Sequence, residues 1–178
     1  MVAIAIVGAR LDYCNALFSD MSEPNSERLL QVQNSLARVV VGSHVGNYIK
    51  PVLVQLHWLP IRARVTFNIA ILVFKIRRTY QPCYLSNMIE ECKMQRTLRF
   101  SFQLLLYEPT FRTATGRRTW RYVDAKTWNR LPETRKKRDI IGSFKRQMKT
   151  MLFRQSYCTY MISQLLHPRV ASLATHGA

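Results

Sequence analysis

Residues 49–78, "IKPVLVQLHWLPIRARVTFNIAILVFKIRR", place apolar side chains at helical spacing on both sides of one Leu59-Pro60 pair. Proline lacks an amide hydrogen and restricts the residue before it, so this stretch does not run as one helix. The pattern predicts a short helix, a break at Leu59-Pro60, and a long helix whose Ile61, Val65, Ile69, Leu72, Val73 and Ile76 form the buried stripe. The long helix is basic in its first turn and at its end, through Arg62, Arg64, Lys75, Arg77 and Arg78. Cations near a C-terminus favour the helix dipole, so the last three need no functional explanation. His57 and Trp58 flank the proline, and with no nucleophile or carboxylate pair nearby His57 reads as a packed, hydrogen-bonded side chain.

The same period occurs earlier in the chain. Residues 3–18 carry it in Ile4, Val7, Leu11, Cys14, Leu17 and Phe18, weakened by Gly8. "SEPNSERLLQVQNSLARVVVG" has start chemistry at Pro24, Asn25 and Ser26, and Gly42 fits its stop. Its expected packed face is Leu29, Val32, Leu36, Val39 and Val40, with Gln31, Asn34, Ser35 and Arg38 on the other side.

From residue 93 the texture changes. "LRFSFQLLLYEPTFRTATGRRTWRYV" is rich in aromatic, Thr and Leu residues, has no helical period, and is punctuated by Pro109 and Gly116. It predicts strands, with a β-hairpin turning near Thr115-Gly116. A helix over Trp120–Trp128 follows, ended by Leu131-Pro132. "GSFKRQMKTMLF" is the last patterned helix: Ser143 caps it, Phe144, Met148, Met151 and Leu152 face inward, and Lys145, Arg146 and Lys149 project away. The fold class is thus mainly α: a helical region over 1–92, a small basic α+β region with the hairpin over 93–154, and an irregular tail over 155–178.

Of 178 residues, 48% are hydrophobic, enough to build a core. Against 10 acidic side chains stand 27 Lys and Arg, a net charge of +17. Residues 93–154 hold 17 of the basic and 4 of the acidic ones, and charge concentrated in this way steers a polyanion. Nucleic acid is the natural partner, through its RNA or DNA phosphate backbone, ahead of an anionic membrane surface. The candidate contacts are Arg117, Arg118 and Arg121 after the hairpin, the run Arg135, Lys136, Lys137 and Arg138, and Lys145, Arg146 and Lys149. The 135–138 run is read as an exposed linker making phosphate contacts; a nuclear address or a solvated loop are its alternatives. Trp120 and Trp128, eight residues apart, share a helix face, which favours core packing over stacking on bases.

Nothing in the sequence points to a metal or a cofactor. Cys14, Cys83, Cys92 and Cys158 lie far apart, and His44, His57, His167 and His176 are likewise unpaired, whereas zinc needs ligands at short spacing. "MVAIAIVGAR" lacks the basic lead of a signal peptide and is too short to span a bilayer. The expected setting is intracellular, nucleus or cytoplasm, with reduced thiols and no transmembrane segment.

Taken in order, "RLDYCNALFSD", "RLLQVQNSLARVVVG", "IKPVLVQLHWLPIRARVTFNIAILVFK", "PCYLSNMI", "RTLR", "GRRTWRYVDAKTWNRLP" and "SFKRQMKTMLF" resemble the C-terminal part of the polyprotein of non-LTR (LINE-type) retrotransposons of the jockey and chicken-repeat lineage. The resemblance runs over about residues 9–153, and "LDYCNAL", "LHWLPIR" and "WNRLP" are its most specific blocks. The stretch "QLLLYEPTFRTATGRRTW" departs from the family's Leu-rich strand pattern. In that family an endonuclease and a reverse transcriptase palm precede a helical thumb and a C-terminal region, and only these last parts are matched. Polymerase chemistry needs carboxylates holding two magnesium ions, which the family places upstream in an Asp-Asp turn. This chain has no adjacent Asp pair; Asp12, Asp20, Asp124 and Asp139 are isolated. The resemblance therefore implies a non-catalytic, 5'-truncated fragment of an RNA-directed DNA polymerase that steadies template and duplex, with the missing palm domain as a second partner. A non-functional relic of the element and a basic amphipathic membrane-surface protein are the other readings.

Overall fold

The computed structural model describes residues 2–13, 15–44, 48–92, 104–137 and 140–166. Among them are eight α-helices: α1 (Val2–Asp12), α2 (Glu23–Val41), α3 (Ile49–Gln55), α4 (Ile61–Thr79), α5 (Cys83–Ser86), α6 (Trp120–Asn129), α7 (Glu133–Lys136) and α8 (Ile141–Leu166). Two short 3-10 turns, Asn15–Phe18 and Gly116–Arg118, complete the regular structure. The chain gathers into two compact units: one from the described residues of Met1–Tyr13, Glu23–Ala63 and Lys149–Ala178, the other from those of Cys14–Ser22 and Arg64–Met148.

The first unit is built around the predicted break. Helix α2 ends where Gly42 takes φ +70° and the Ser43 amide donates back to Arg38 O at 3.0 Å, the left-handed stop that a Cβ disfavours. Helix α3 ends the same way with a different residue: His57 has φ +53°, and the Trp58 amide donates to Leu53 O at 3.0 Å. The His57 ring lies 5.8 Å from that of Phe153, nearly parallel, and its Nδ1 lies 3.3 Å from Gln55 O. His57 thus ends the helix but stands exposed, not packed as its neighbours in the sequence suggested. Ala37 of α2, Val52 and Leu53 of α3 and Tyr157 of α8 form the core, flanked by Trp58 and Phe153. The Tyr157 hydroxyl donates to Trp58 O at 2.8 Å, and burial pushes its pKa up to about 12.

The packed face of α2 differs from the expected stripe. Val32 and Val39 are 48% and 71% exposed, whereas Ser26, Gln33, Leu36 and Ala37 are buried. Gln33 turns inward because its Nε2 donates to Leu59 O at 2.7 Å, supplying a carbonyl at the break with a partner. On the same face, the buried Ser26 hydroxyl accepts from Arg62 Nε at 2.8 Å, and Arg62 also pairs with Glu23.

The second unit packs α4, α6 and the start of α8 through aromatic rings. Phe74 and Phe144 stack at 4.3 Å between centroids, and Phe144 and Trp128 follow at 6.3 Å. Val65, Ile69, Val73 and Ile76 of α4 are buried as their spacing predicts, together with Ala70 and Phe74, while Leu72 is half-buried. Phe144 and Met148 of α8 are buried too; the helix continues to Leu166 through residues of the first unit, Leu152 buried among them, so residues 155–166, expected to be irregular, are helical.

The expected β-hairpin is absent from the described residues. Residues 98–103 of that stretch lie outside them, residues 104–110 form no strand, and the turn near Thr115-Gly116 is the 3-10 turn Gly116–Arg118. What replaces a partner strand is side-chain hydrogen bonding from α6. The Trp128 indole donates to Leu104 O at 2.8 Å, and Asn129 accepts from Leu106 N and donates to Leu106 O, both at 2.9 Å. One antiparallel bridge, Glu91 with Leu106, adds Cys92 N to Leu105 O and Tyr107 N to Glu90 O. Local Thr bonds then bend the chain where a hairpin was expected: Gly116 N donates to Thr113 Oγ1 at 3.1 Å, and Thr119 Oγ1 donates to Gly116 O at 2.6 Å.

Candidate nucleic-acid interface

Arg117 and Arg118 stand exposed on the 3-10 turn, and Arg121 is exposed in the first turn of α6. The turn approaches Phe111 closely; a Cβ on Gly116 would meet that side chain at 2.8 Å, so only glycine fits. Phe111 in turn sets its edge to Tyr122 at 6.2 Å, tying the turn to α6. The first turn of α6 holds no acidic residue. Arginines at a helix N-terminus oppose its dipole, so this arrangement costs stability and sums two sources of positive potential. Arg121 pairs with Glu90 across the unit, which leaves Arg117 and Arg118 as the more available guanidinium groups. Lys126 lies 4.9 Å over the Tyr122 ring, further along the same helix.

The basic run is not a uniform exposed linker. Residues 133–136 form the short helix α7, Arg135 is half-buried, Lys136 is buried and only Lys137 is exposed; Arg138 lies outside the described residues. The Lys136 ammonium donates to Asn129 O at 3.4 Å and to Glu133 Oε1 at 3.3 Å, so it is turned inward by the end of α6 and its own helix. Lys145, Arg146 and Lys149 are exposed on α8, opposite the buried Phe144 and Met148. The predicted contacts thus fall into local groups, one at the α6 N-terminus and one along α8, with Lys136 withdrawn from both.

Two features, at Arg77 and Asp124, escape a reading of the sequence. Arg77 places its guanidinium 5.0 Å over the Trp128 ring and donates through Nη2 to Glu91 at 2.8 Å, so it does more than end α4. Its only sequence signal is a position four residues after Val73 on the inward face of a helix. Asp124 is buried in α6; desolvation raises its carboxyl from 3.8 to about 6, with the Ala125 and Asp124 amides and the Arg121 charge pulling it down. Trp128 is buried as expected, and Trp120 is half-buried with its Nε1 lacking a partner.

Among the described residues no cluster of His, Cys, Asp or Glu is placed to hold a metal ion, and no helix is long and apolar enough to cross a membrane. No family model, curated protein or solved structure matches the chain.

Proposed function

We propose that this chain is a nucleic-acid-contacting module without catalysis, the thumb and post-thumb fragment of a non-LTR retrotransposon RNA-directed DNA polymerase, holding RNA or DNA by its phosphate backbone. The observation that carries the reading is the exposed Arg117-Arg118 turn at the N-terminus of α6, where cations stand against the helix dipole with no acid in the first turn. The exposed Lys145, Arg146 and Lys149 on α8 add further phosphate contacts. Exposed Val32 and Val39 on α2 suit a helix that packs on a further partner, and a reverse transcriptase palm domain is that partner in this reading. The absence of an adjacent Asp pair supports a non-catalytic role, and a nuclear or cytoplasmic setting goes with it.

The test is affinity for single-stranded RNA and for duplex across a salt series. Each neutralised phosphate contributes a slope of about −0.7 to −0.9 in log K against log salt, so Arg117→Ala with Arg118→Ala is expected to flatten the slope by about one to two units. Affinity indifferent to salt, or stronger binding to anionic liposomes than to RNA, overturns the reading. Primer extension is expected to stay at the blank.

A further inference from the structure

The first unit carries an aromatic side chain at each end of α3, where the helix itself favours other residues. Tyr48 stands just before the first turn and makes no capping hydrogen bond, in a position suited to Ser, Thr, Asp or Asn. His57 stands just after the last turn with φ +53°, a conformation suited to Gly or Asn. Both side chains are exposed, Tyr48 to 61%. Each is held against an aromatic ring of α8: Tyr48 lies 6.3 Å from Tyr160 at 50°, and His57 lies 5.8 Å from Phe153 at 20°. A tilted contact at that distance braces the Tyr48 ring without covering it, and a near-parallel one covers a single face of the imidazole. Positive charge accompanies the rings. Lys50 places its ammonium 5.8 Å from the Tyr48 centroid, and exposed Arg154 follows Phe153 on α8. Neither α3 nor α8 contains an Asp or a Glu.

We infer that this surface binds single-stranded nucleic acid by stacking its bases on Tyr48 and His57, with Lys50 and Arg154 on the phosphates beside them. Every base offers a π-face, so exposed rings flanked by cations hold a strand without reading its sequence. Phe153 and Tyr160 lie two turns apart on α8, which sets the two ring pairs about 10 Å apart along the helix. A single strand covers that distance within about three nucleotides at ~3.4 Å per stacked step. A duplex keeps its bases stacked on one another and gives these rings no face, so the site separates single strand from duplex. The inference rests on the nucleic-acid reading for its class of partner. To the arginine turn of the second unit it adds a site in the first unit that uses the bases.

The experiment titrates the whole chain against an end-labelled oligodeoxyadenylate and an abasic oligonucleotide of the same length, which keeps every phosphate and lacks the bases. Fluorescence anisotropy at fixed salt reads the two affinities. The intact strand is expected to bind about fivefold tighter or more, as a single stacked base provides. Tyr48→Ala is expected to take about fivefold from the intact strand and nothing from the abasic one, while Tyr48→Trp keeps the preference because an indole also stacks. His57→Gly removes the other ring at a backbone conformation that glycine adopts freely, and is expected to act in the same direction. This second variant keeps the test open should Tyr48→Ala disturb the packing of Tyr160. Equal affinity for intact and abasic strands, or a preference unchanged in both Tyr48→Ala and His57→Gly, overturns the inference and leaves the phosphate-contact reading in place. Binding of neither strand overturns both. Arg117→Ala with Arg118→Ala is expected to weaken the two strands alike, which separates the phosphate contacts from the stacking.

Discussion

The indole nitrogen of Trp128 donates a 2.8 Å hydrogen bond to the carbonyl of Leu104, twenty-four residues earlier. Beside it Asn129 grips both the amide and the carbonyl of Leu106. The "WNRLP" block is therefore a clamp: Trp128 and Asn129 hold an extended segment, Leu131 is buried, and Pro132 leads into α7. Replacing Trp128 with Phe leaves Leu104 O without its donor and is expected to cost about 1–3 kcal/mol in urea denaturation. Trp128→Ala also opens a cavity against Phe144 and is expected to cost about 3–5 kcal/mol. Equal stability of the Phe variant and the wild type would remove the clamp from this account.

Asn129→Asp tests the same clamp by charge. The carboxylate keeps the acceptor for Leu106 N but loses the donor to Leu106 O, and it faces Glu108, whose Oε1 now accepts from Asn129 Nδ2 at 2.8 Å. A loss of about 1–3 kcal/mol is expected at neutral pH, partly recovered in acid as the carboxylates protonate. A loss that does not change with pH would contradict the geometry.

Helix α2 is fastened at Gln33, whose Nε2 meets Leu59 O at 2.7 Å while its Oε1 is buried without a partner. Gln33→Met fills similar space and removes one satisfied and one unsatisfied group, so a loss of only about 1 kcal/mol is expected. Gln33→Ala leaves a cavity as well and is expected to cost more, about 2–3 kcal/mol. Thermal melting of the pair, set beside the exposed-site control Val39→Ala, checks that order.

Asp124 gives the protein a pH dependence of calculable sign. Its carboxyl rises from 3.8 to about 6 on folding, chiefly through desolvation. The folded state thus holds the proton more tightly than the unfolded chain, and its stability falls as pH rises from about 4 to about 6. The full change is of order 3 kcal/mol, absent below the lower value and complete above the upper. Asp124→Asn keeps an acceptor for the Ala125 amide, now at 2.6 Å, and removes the titration. The variant is expected to gain on the wild type by about 1–3 kcal/mol between pH 4 and pH 7. Parallel stability curves would show that Asp124 does not titrate as its burial requires.

Gly116 links folding to the arginine turn. An Ala Cβ there would lie 2.8 Å from Phe111, closer than side chains tolerate, so the turn must shift. Gly116→Ala is expected to lose about 1–3 kcal/mol and to weaken RNA binding in step with the displacement of Arg117 and Arg118. Phe111→Ala in the same background relieves the clash, and recovery of binding in the double variant would confirm the steric cause.

Several helix boundaries were legible in the sequence because their causes are local, although the run of α8 past residue 154 and the short helix α7 were not. The α3–α4 break follows from Leu59-Pro60, the end of α2 from Gly42, the end of α6 from Leu131-Pro132, and the inward face of α4 from spacing that runs from Ile61 to Ile76. The exposure of Arg117, Arg118, Lys145, Arg146 and Lys149 was legible for the same reason: a cation with no local reason to turn inward stays in water. What tertiary structure decided depends on partners distant in the chain. Leu59 O turned Gln33 inward and left Val39 outside; Trp128 and Asn129 gave residues 104–106 hydrogen bonds that a hairpin strand would have supplied. Asn129 and Glu133 drew Lys136 out of an otherwise basic run, and Trp128 took Arg77 onto its ring. A side chain's period states which residues share a face, but only the groups brought opposite it determine whether that face is buried, because burial depends on finding a partner for every polar atom.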